Sequence, residues 1–162
     1  MTISVGSTLP DATVLQMGEN GAETVSMASR LKGRKVVIFG LPGAYTGTCT
    51  TSHVPSFMRV VDTLKAKGVD EVICLSVNDP FVMKAWGDST GAAAKGITFL
   101  GDGDAGFTKA IGMNFTVPHL AFFDRSKRYA LYAVDGVVKV LNIGEETNAC
   151  EISGGDAMLA AI

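Results

Sequence analysis

Charge is scarce in this chain. Asp, Glu, Lys and Arg make up 19% of its 162 residues, against roughly 25% in an average soluble protein, while 47% are hydrophobic. That balance suits a well-packed globule, part of whose surface a second copy of the chain could cover. The two signs nearly cancel, 14 basic residues against 16 acidic. No broad positive field exists to hold nucleic acid or an anionic membrane, and no basic stripe is interleaved with aromatics. The first residues, MTISVGSTLPDATV, have neither the basic start nor the apolar stretch of about 7–15 residues that marks a secretory leader. The longest window without formal charge, residues 36–58, is long enough to be tested as a membrane span, for which about 20 apolar residues suffice. It contains Pro42, Pro55, three glycines and four threonines, so it is rejected, and a cytoplasmic location is expected. Cysteine is also sparse: three residues and no CxxC pair argue against both a secreted disulfide framework and a zinc site. His53 and His119 are too scattered relative to the cysteines to restore a metal reading. No cofactor is expected.

What is present alternates between two patterns. Short apolar runs, KVVIFG (35–40), EVICLSV (71–77) and HLAFFD (119–124), read as strands, the first two without polar alternation and therefore buried on both faces. RYALYAV and VVKVLNI flank Asp135-Gly136, a strong hairpin signal. Between them lie helical patterns. Val54, Phe57, Met58, Val61 and Leu64 recur at spacings of three and four, and Gly68 marks the end of that helix. Pro55 is expected to kink it, because proline lacks an amide hydrogen. NDPFVMKAW opens a second helix, capped by Asn78 or Asp79 with Pro80 in its first turn. Residues 104–112 form a short third helix and GGDAMLAAI a fourth. With no repeats or long linkers, one domain over residues 1–162 is expected: an α/β protein with a central mixed sheet flanked by helices.

The segment FGLPGAYTGTCTTSHVPSF (39–57) places Cys49 among small, hydroxylated and proline residues directly after an apolar strand. A structural cysteine sits more naturally among Val, Ile and Leu. At the start of a helix, Cys49 faces amide hydrogens without carbonyl partners and the positive end of the helix dipole, both of which favour the nucleophilic thiolate. Position alone leaves this reading evenly balanced against a merely tolerated small residue. Thr46, three positions upstream, can donate a hydroxyl hydrogen to an anion beside Cys49, and Pro42 can wall the pocket without a competing donor.

The pattern Pro42-x-x-x-Thr46-x-x-Cys49, with SVNDPFVMKAW and VDGVVKVLNI, resembles the peroxiredoxins, and among them the type II, peroxiredoxin-five-like, subfamily. The resemblance implies a thioredoxin-like fold and thiol-dependent reduction of hydrogen peroxide and alkyl hydroperoxides. It makes Cys49 the peroxidatic cysteine, has Thr46 and Pro42 shape the pocket, and makes Arg128 the active-site arginine; Arg125 and Lys127 fit solvated strand residues. Gly47 departs from the proline common at that place in the subfamily. His53 is read as a packing or hydrogen-bonding residue. The resemblance also implies recycling of the sulfenic acid by glutaredoxin and glutathione or by thioredoxin, with Cys150 or Cys74 as possible resolving thiols. Cys74 has the profile of an inert core residue, and direct reduction needs neither. A homodimer is expected. A redox sensor or holdase with the same fold, and a thioredoxin-like disulfide reductase, are the competing readings; the latter needs a second cysteine where Thr46 stands.

Overall fold

A computed structural model describes residues 1–144 and 151–162. The chain opens with a hairpin of β1 (Thr13–Gly18) and β2 (Gly21–Ser26), turning at Gly21 with φ 109°. The short α1 (Met27–Leu31) leads into β3 (Lys35–Gly40), a helical segment containing Cys49, and α2 (Val54–Ala66). Next come β4 (Glu71–Ser76), α3 (Pro80–Thr90), β5 (Ile97–Gly101) and α4 (Gly106–Ala110). A small separate ribbon of β6 (Asn114–Val117) and β7 (Phe122–Ser126) precedes β8 (Tyr129–Val134), β9 (Val137–Ile143) and α5 (Gly155–Ala161). The seven-stranded sheet runs β2-β1-β5-β4-β3-β8-β9. Its centre, β3, β4 and β5, is parallel, and β8 lies antiparallel beside β3.

The unbroken apolar runs of β3 and β4 follow from this central place. Val37, Phe39 and Cys74 point into one core with Phe57, Val61 and Leu64 of α2, Met83 and Trp86 of α3, and Met158 of α5. Val36, Ile38, Ile73 and Leu75 point into the other, with Met27 and Leu31 of α1 and Phe107 of α4. Alternation persists, but both faces are dry, so both sets must be apolar. Phe39 and Phe57 stack with ring centroids 4.1 Å apart and tie α2 to β3.

Several expectations meet their residues. Asp79 caps α3, its carboxylate accepting from the Val82 amide at 2.9 Å, and Gly91 closes the helix with φ 77°. Asp135 and Gly136 both have positive φ, 50° and 76°, as the tight turn between β8 and β9 requires. The strand expected at 119–124 is displaced. Pro118 starts a 3₁₀ turn over Pro118–Leu120, Ala121 ends it at φ 56°, and the strand begins only at Phe122. A proline cannot donate into a ladder, so the chain turns first and pairs afterwards. Instead of a simple kink at Pro55, the helix widens just before it into a π turn over Cys49–His53, in which the Val54 amide donates to the Cys49 carbonyl. That wider turn lets Pro55 fall in the first turn of α2, where its missing hydrogen is tolerated. The β1–β2 hairpin, β5 and β6 carried no strong signal: β2, GAETVS, is largely exposed and polar, and β5 is only five residues long.

Candidate active site

Cys49 lies beyond the end of β3, where the parallel strands β3 and β4 deliver their loops to one edge of the sheet. Asn78, after β4, holds those loops together. Its Oδ1 accepts from the Ala44 amide at 3.0 Å and from the Ser76 hydroxyl at 2.7 Å. The 42–46 loop turns back through Tyr45 at φ 63° and enters the helical segment that bears the thiol. Trp86 of α3 fastens this segment from the side, its Nε1 donating to Thr50 Oγ1 at 3.2 Å.

Cys49 is only 1% exposed and Arg128 2%. Arg128 Nη2 donates to Cys49 Sγ at 3.4 Å, and its Nη1 donates to His53 Nδ1 at 3.0 Å. A guanidinium has no acceptor, so His53 Nδ1 must carry a lone pair and Nε2 the proton. Nε2 donates that proton to the Ser153 carbonyl at 2.9 Å. His53 is thus a neutral imidazole. Burial, then the adjacent charge of Arg128, lowers its pKa from 6.5 to about 3, against the opposing bond to Ser153. The rings of Phe39 and Phe57, at 5.2 and 5.7 Å, close its sides. Ser56 adds a second tie to the C-terminal segment, accepting from the Gly155 amide at 2.9 Å and donating to the His53 carbonyl at 2.6 Å.

The structure therefore brings Cys49, Arg128 and His53 into one dry cluster. Pro42 is buried in the loop beside it. Thr46 is half-buried, and its hydroxyl proton goes elsewhere than expected: Oγ1 donates to the Gly43 carbonyl at 2.6 Å. The tight 43–46 turn brings that carbonyl within reach, so Thr46 offers an approaching molecule an acceptor lone pair rather than a donor. Cys74 is fully buried in the core that also contains Cys49; burial, with the charge of Cys49 as a further cause, pushes its thiol well above the ordinary value. Cys150 lies outside the described residues. Arg125, read from the sequence as a solvated strand residue, is instead half-buried on β7 and donates from Nη1 to the Pro42 carbonyl at 3.0 Å. Ser153 was missed, and no local pattern could have announced it.

A buried thiol receiving a guanidinium bond, behind a proline- and threonine-bearing loop on a thioredoxin-like sheet, can be set against known proteins. The Redoxin family model matches residues 4–159. Peroxiredoxin-2B of Arabidopsis thaliana is 42% identical, over 99% of this chain and 98% of that protein. The chloroplastic Peroxiredoxin-2E-2 of Oryza sativa subsp. japonica is 44% identical over 99% of this chain and 73% of its own length. The chain belongs to the peroxiredoxin family. Its relatives place it in the type II branch, and it is a thiol-dependent peroxidase. Among solved structures, reduced Prx3 of Vibrio vulnificus in complex with H2O2 superposes with a TM-score of 0.91 at 43% identity, covering 99% of each chain. Peroxiredoxin 5 of Alvinella pompejana gives 0.85 at 28% identity, covering 98% of this chain and 97% of its own. This peroxiredoxin retains the thioredoxin-like sheet flanked by helices that the motif implied.

Proposed function

We propose that Cys49 is the peroxidatic cysteine, that its substrates are hydrogen peroxide and alkyl hydroperoxides, and that Arg128 stabilises the reaction's charge. The observation that carries this reading is the 3.4 Å bond from Arg128 Nη2 to Cys49 Sγ in a pocket nearly closed to water. The thiolate attacks one peroxide oxygen, an S–O bond forms and the O–O bond breaks. The departing oxygen leaves with the electron pair as hydroxide or alkoxide and takes up a proton. Sulfur is oxidised to sulfenic acid while the peroxide is reduced to water or an alcohol. Negative charge shifts from sulfur onto the two oxygens, and a fixed guanidinium in a dry site stabilises it without first reorganising solvent. The Thr46 lone pair, its proton engaged by Gly43, accepts the hydrogen of the incoming hydroperoxide. Pro42 walls the same pocket. His53 orients Arg128 and takes no proton itself.

An external thiol completes the cycle: it attacks the sulfenic sulfur, expels water, and a second thiol releases it as a disulfide. Glutaredoxin with glutathione, or thioredoxin, supplies these thiols in this proposal, and Cys74 stays out of the exchange because its thiolate is strongly disfavoured. A homodimer in the cytoplasm is proposed; exposed Tyr45, Phe81 and Phe123 support a covered face. The deciding experiment is steady-state peroxide consumption with each reductant system, for the unsubstituted protein and Cys49→Ser. Serine nearly conserves volume but does not ionise at neutral pH, so turnover should vanish with the fold intact. Substantial turnover in Cys49→Ser would refute the assignment, and a single reaction without turnover would favour a sensor.

A further inference from the structure

Arg125 is a second guanidinium at this site, and the reaction above leaves it unused. It stands on β7 with its Cζ 4.9 Å from the centroid of the Phe122 ring and its Nη1 on the Pro42 carbonyl. Glycine at position 43 is what admits it. A Cβ there would lie 2.4 Å from Arg125 Nη1 and 3.4 Å from Thr46 Cγ2, so the guanidinium and the pocket threonine flank one glycine. Burial lowers the Arg125 pKa and the charge of Cys49 opposes that shift, which puts the thiol within electrostatic reach.

Among the described residues Arg125 has no carboxylate partner. Of the five arginines, Arg30 and Arg34 share Glu71, Arg59 pairs with Asp156, and Arg128 faces the thiol. Among the described residues no carboxylate lies within ion-pair distance of Arg125, and its donors other than Nη1 have no hydrogen-bond acceptor. A planar guanidinium held by a carbonyl and an aromatic face, half-open to solvent and short of an anion, is well suited to a carboxylate, which it can bind through two parallel bonds. We propose that Arg125 docks a carboxylate carried by the molecule that reacts at Cys49, so that the site favours carboxylate-bearing hydroperoxides or thiols over neutral ones of similar size. This rests on the reading of Cys49 as the peroxidatic thiol.

The test compares rate ratios. For the oxidation half-reaction the probes are 3-hydroperoxy-3-methylbutanoate and tert-butyl hydroperoxide. For reduction of the sulfenic acid they are 3-mercaptopropionate and 2-mercaptoethanol. Sulfenic acid is followed by quenched-flow trapping and mass spectrometry in the unsubstituted protein, Arg125→Gln and Arg125→Lys. Glutamine keeps an N–H for the Pro42 carbonyl and removes the charge; lysine keeps the charge and loses the fork. The expected result is a fall of about tenfold in the anionic-to-neutral ratio for Arg125→Gln, with lysine intermediate. The half-reaction in which it falls tells whether the carboxylate belongs to peroxide or thiol. Ratios unchanged in both half-reactions overturn the proposal, even if all rates fall together, since Arg125 would then only brace the Pro42 loop. If the unsubstituted protein reacts with neither peroxide, the reading of Cys49 itself fails, a result distinct from an unchanged ratio.

Discussion

Arg128 reaches Cys49 because His53 occupies its other side. Arg128→Ala should lower the second-order rate with peroxide by about 10²–10³-fold, the usual cost of removing one donor to developing charge in a dry site. Stopped-flow or competition kinetics would measure it, and a loss under about threefold, well below that range, would reduce Arg128 to a structural residue. His53 carries its own signature in stability. Its pKa falls from 6.5 in the unfolded chain to about 3 in the fold. Between these values the unfolded state binds a proton that the folded state refuses, so stability drops as pH falls from about 6.5 towards 3. Replacing His53 with glutamine should flatten that decline most clearly between about pH 6.5 and 4.5, above the carboxylate range; urea unfolding at a series of pH values would reveal it. At this scale the site was partly legible. Pro42, Thr46 and Cys49 fall within eight positions and form a pattern, and Arg128 was found through the pattern's family. Arg125 meets Pro42 across 83 positions and Ser153 meets His53 across 100, separations over which adjacent residues carry no signal. The proton of Thr46 was misdirected for a related reason: its partner, the Gly43 carbonyl, is fixed by a turn through Tyr45 in a conformation that tyrosine rarely adopts.

The helical segment that bears the thiol starts at Gly47, directly before a π turn. Glycine there is conformationally gratuitous. Its φ is not positive, and an added Cβ would meet nothing within 4 Å. Gly47→Ala should therefore stabilise the protein by about 0.4–1 kcal/mol, by restricting the unfolded chain, and thermal denaturation would check it; a lower melting temperature would contradict this view of the loop. Helix α2 was legible from its periodicity and the closing Gly68, and α3 from its cap and Pro80 in the first turn. The π turn was not, since it arises from accommodating Pro55 next to a thiol fixed by two other elements. HLAFFD misled because its apolar residues were read without the proline that precedes them.

Across the molecule, Glu71 ties α1 and β5 to β4 on one face of the sheet. On β4, it accepts from Arg30 Nε of α1 at 2.8 Å, from Arg34 Nη1 at 2.9 Å and from Thr98 Oγ1 of β5 at 2.6 Å. Burial alone would raise its pKa, but the bond from Arg30, then those from Thr98 and Arg34 with the charge of Arg30, lower it from 4.5 to about 2. Its contribution is complete above about pH 4.5 and is lost as pH falls through about 2, because the unfolded chain protonates first. Glu71→Gln should cost about 2 kcal/mol at neutral pH, and its deficit against the unsubstituted protein should shrink below pH 4.5. A deficit independent of pH would point to packing instead. The β3–α2–β4–α3 order and the β8–β9 hairpin could be read from residues alone, but the sheet order could not, since β1 enters beside β5 and β8 beside β3 through pairings no local window contains.

Trp86 is the only tryptophan, and it belongs to α3 while the thiol belongs to the helix across from it. Its indole donates to Thr50, the residue after Cys49, with the Phe99 ring edge-on at 5.6 Å and Tyr45 at 6.4 Å. The protein thus contains a fluorophore hydrogen-bonded to the residue that follows its reactive thiol. Adding oxygen to a sulfur that is 1% exposed must displace neighbours, and the Thr50 hydroxyl is among the nearest in sequence. Emission should change on peroxide addition and recover on thiol addition, with the amplitude reduced in Thr50→Val, so that each turnover can be watched without a label.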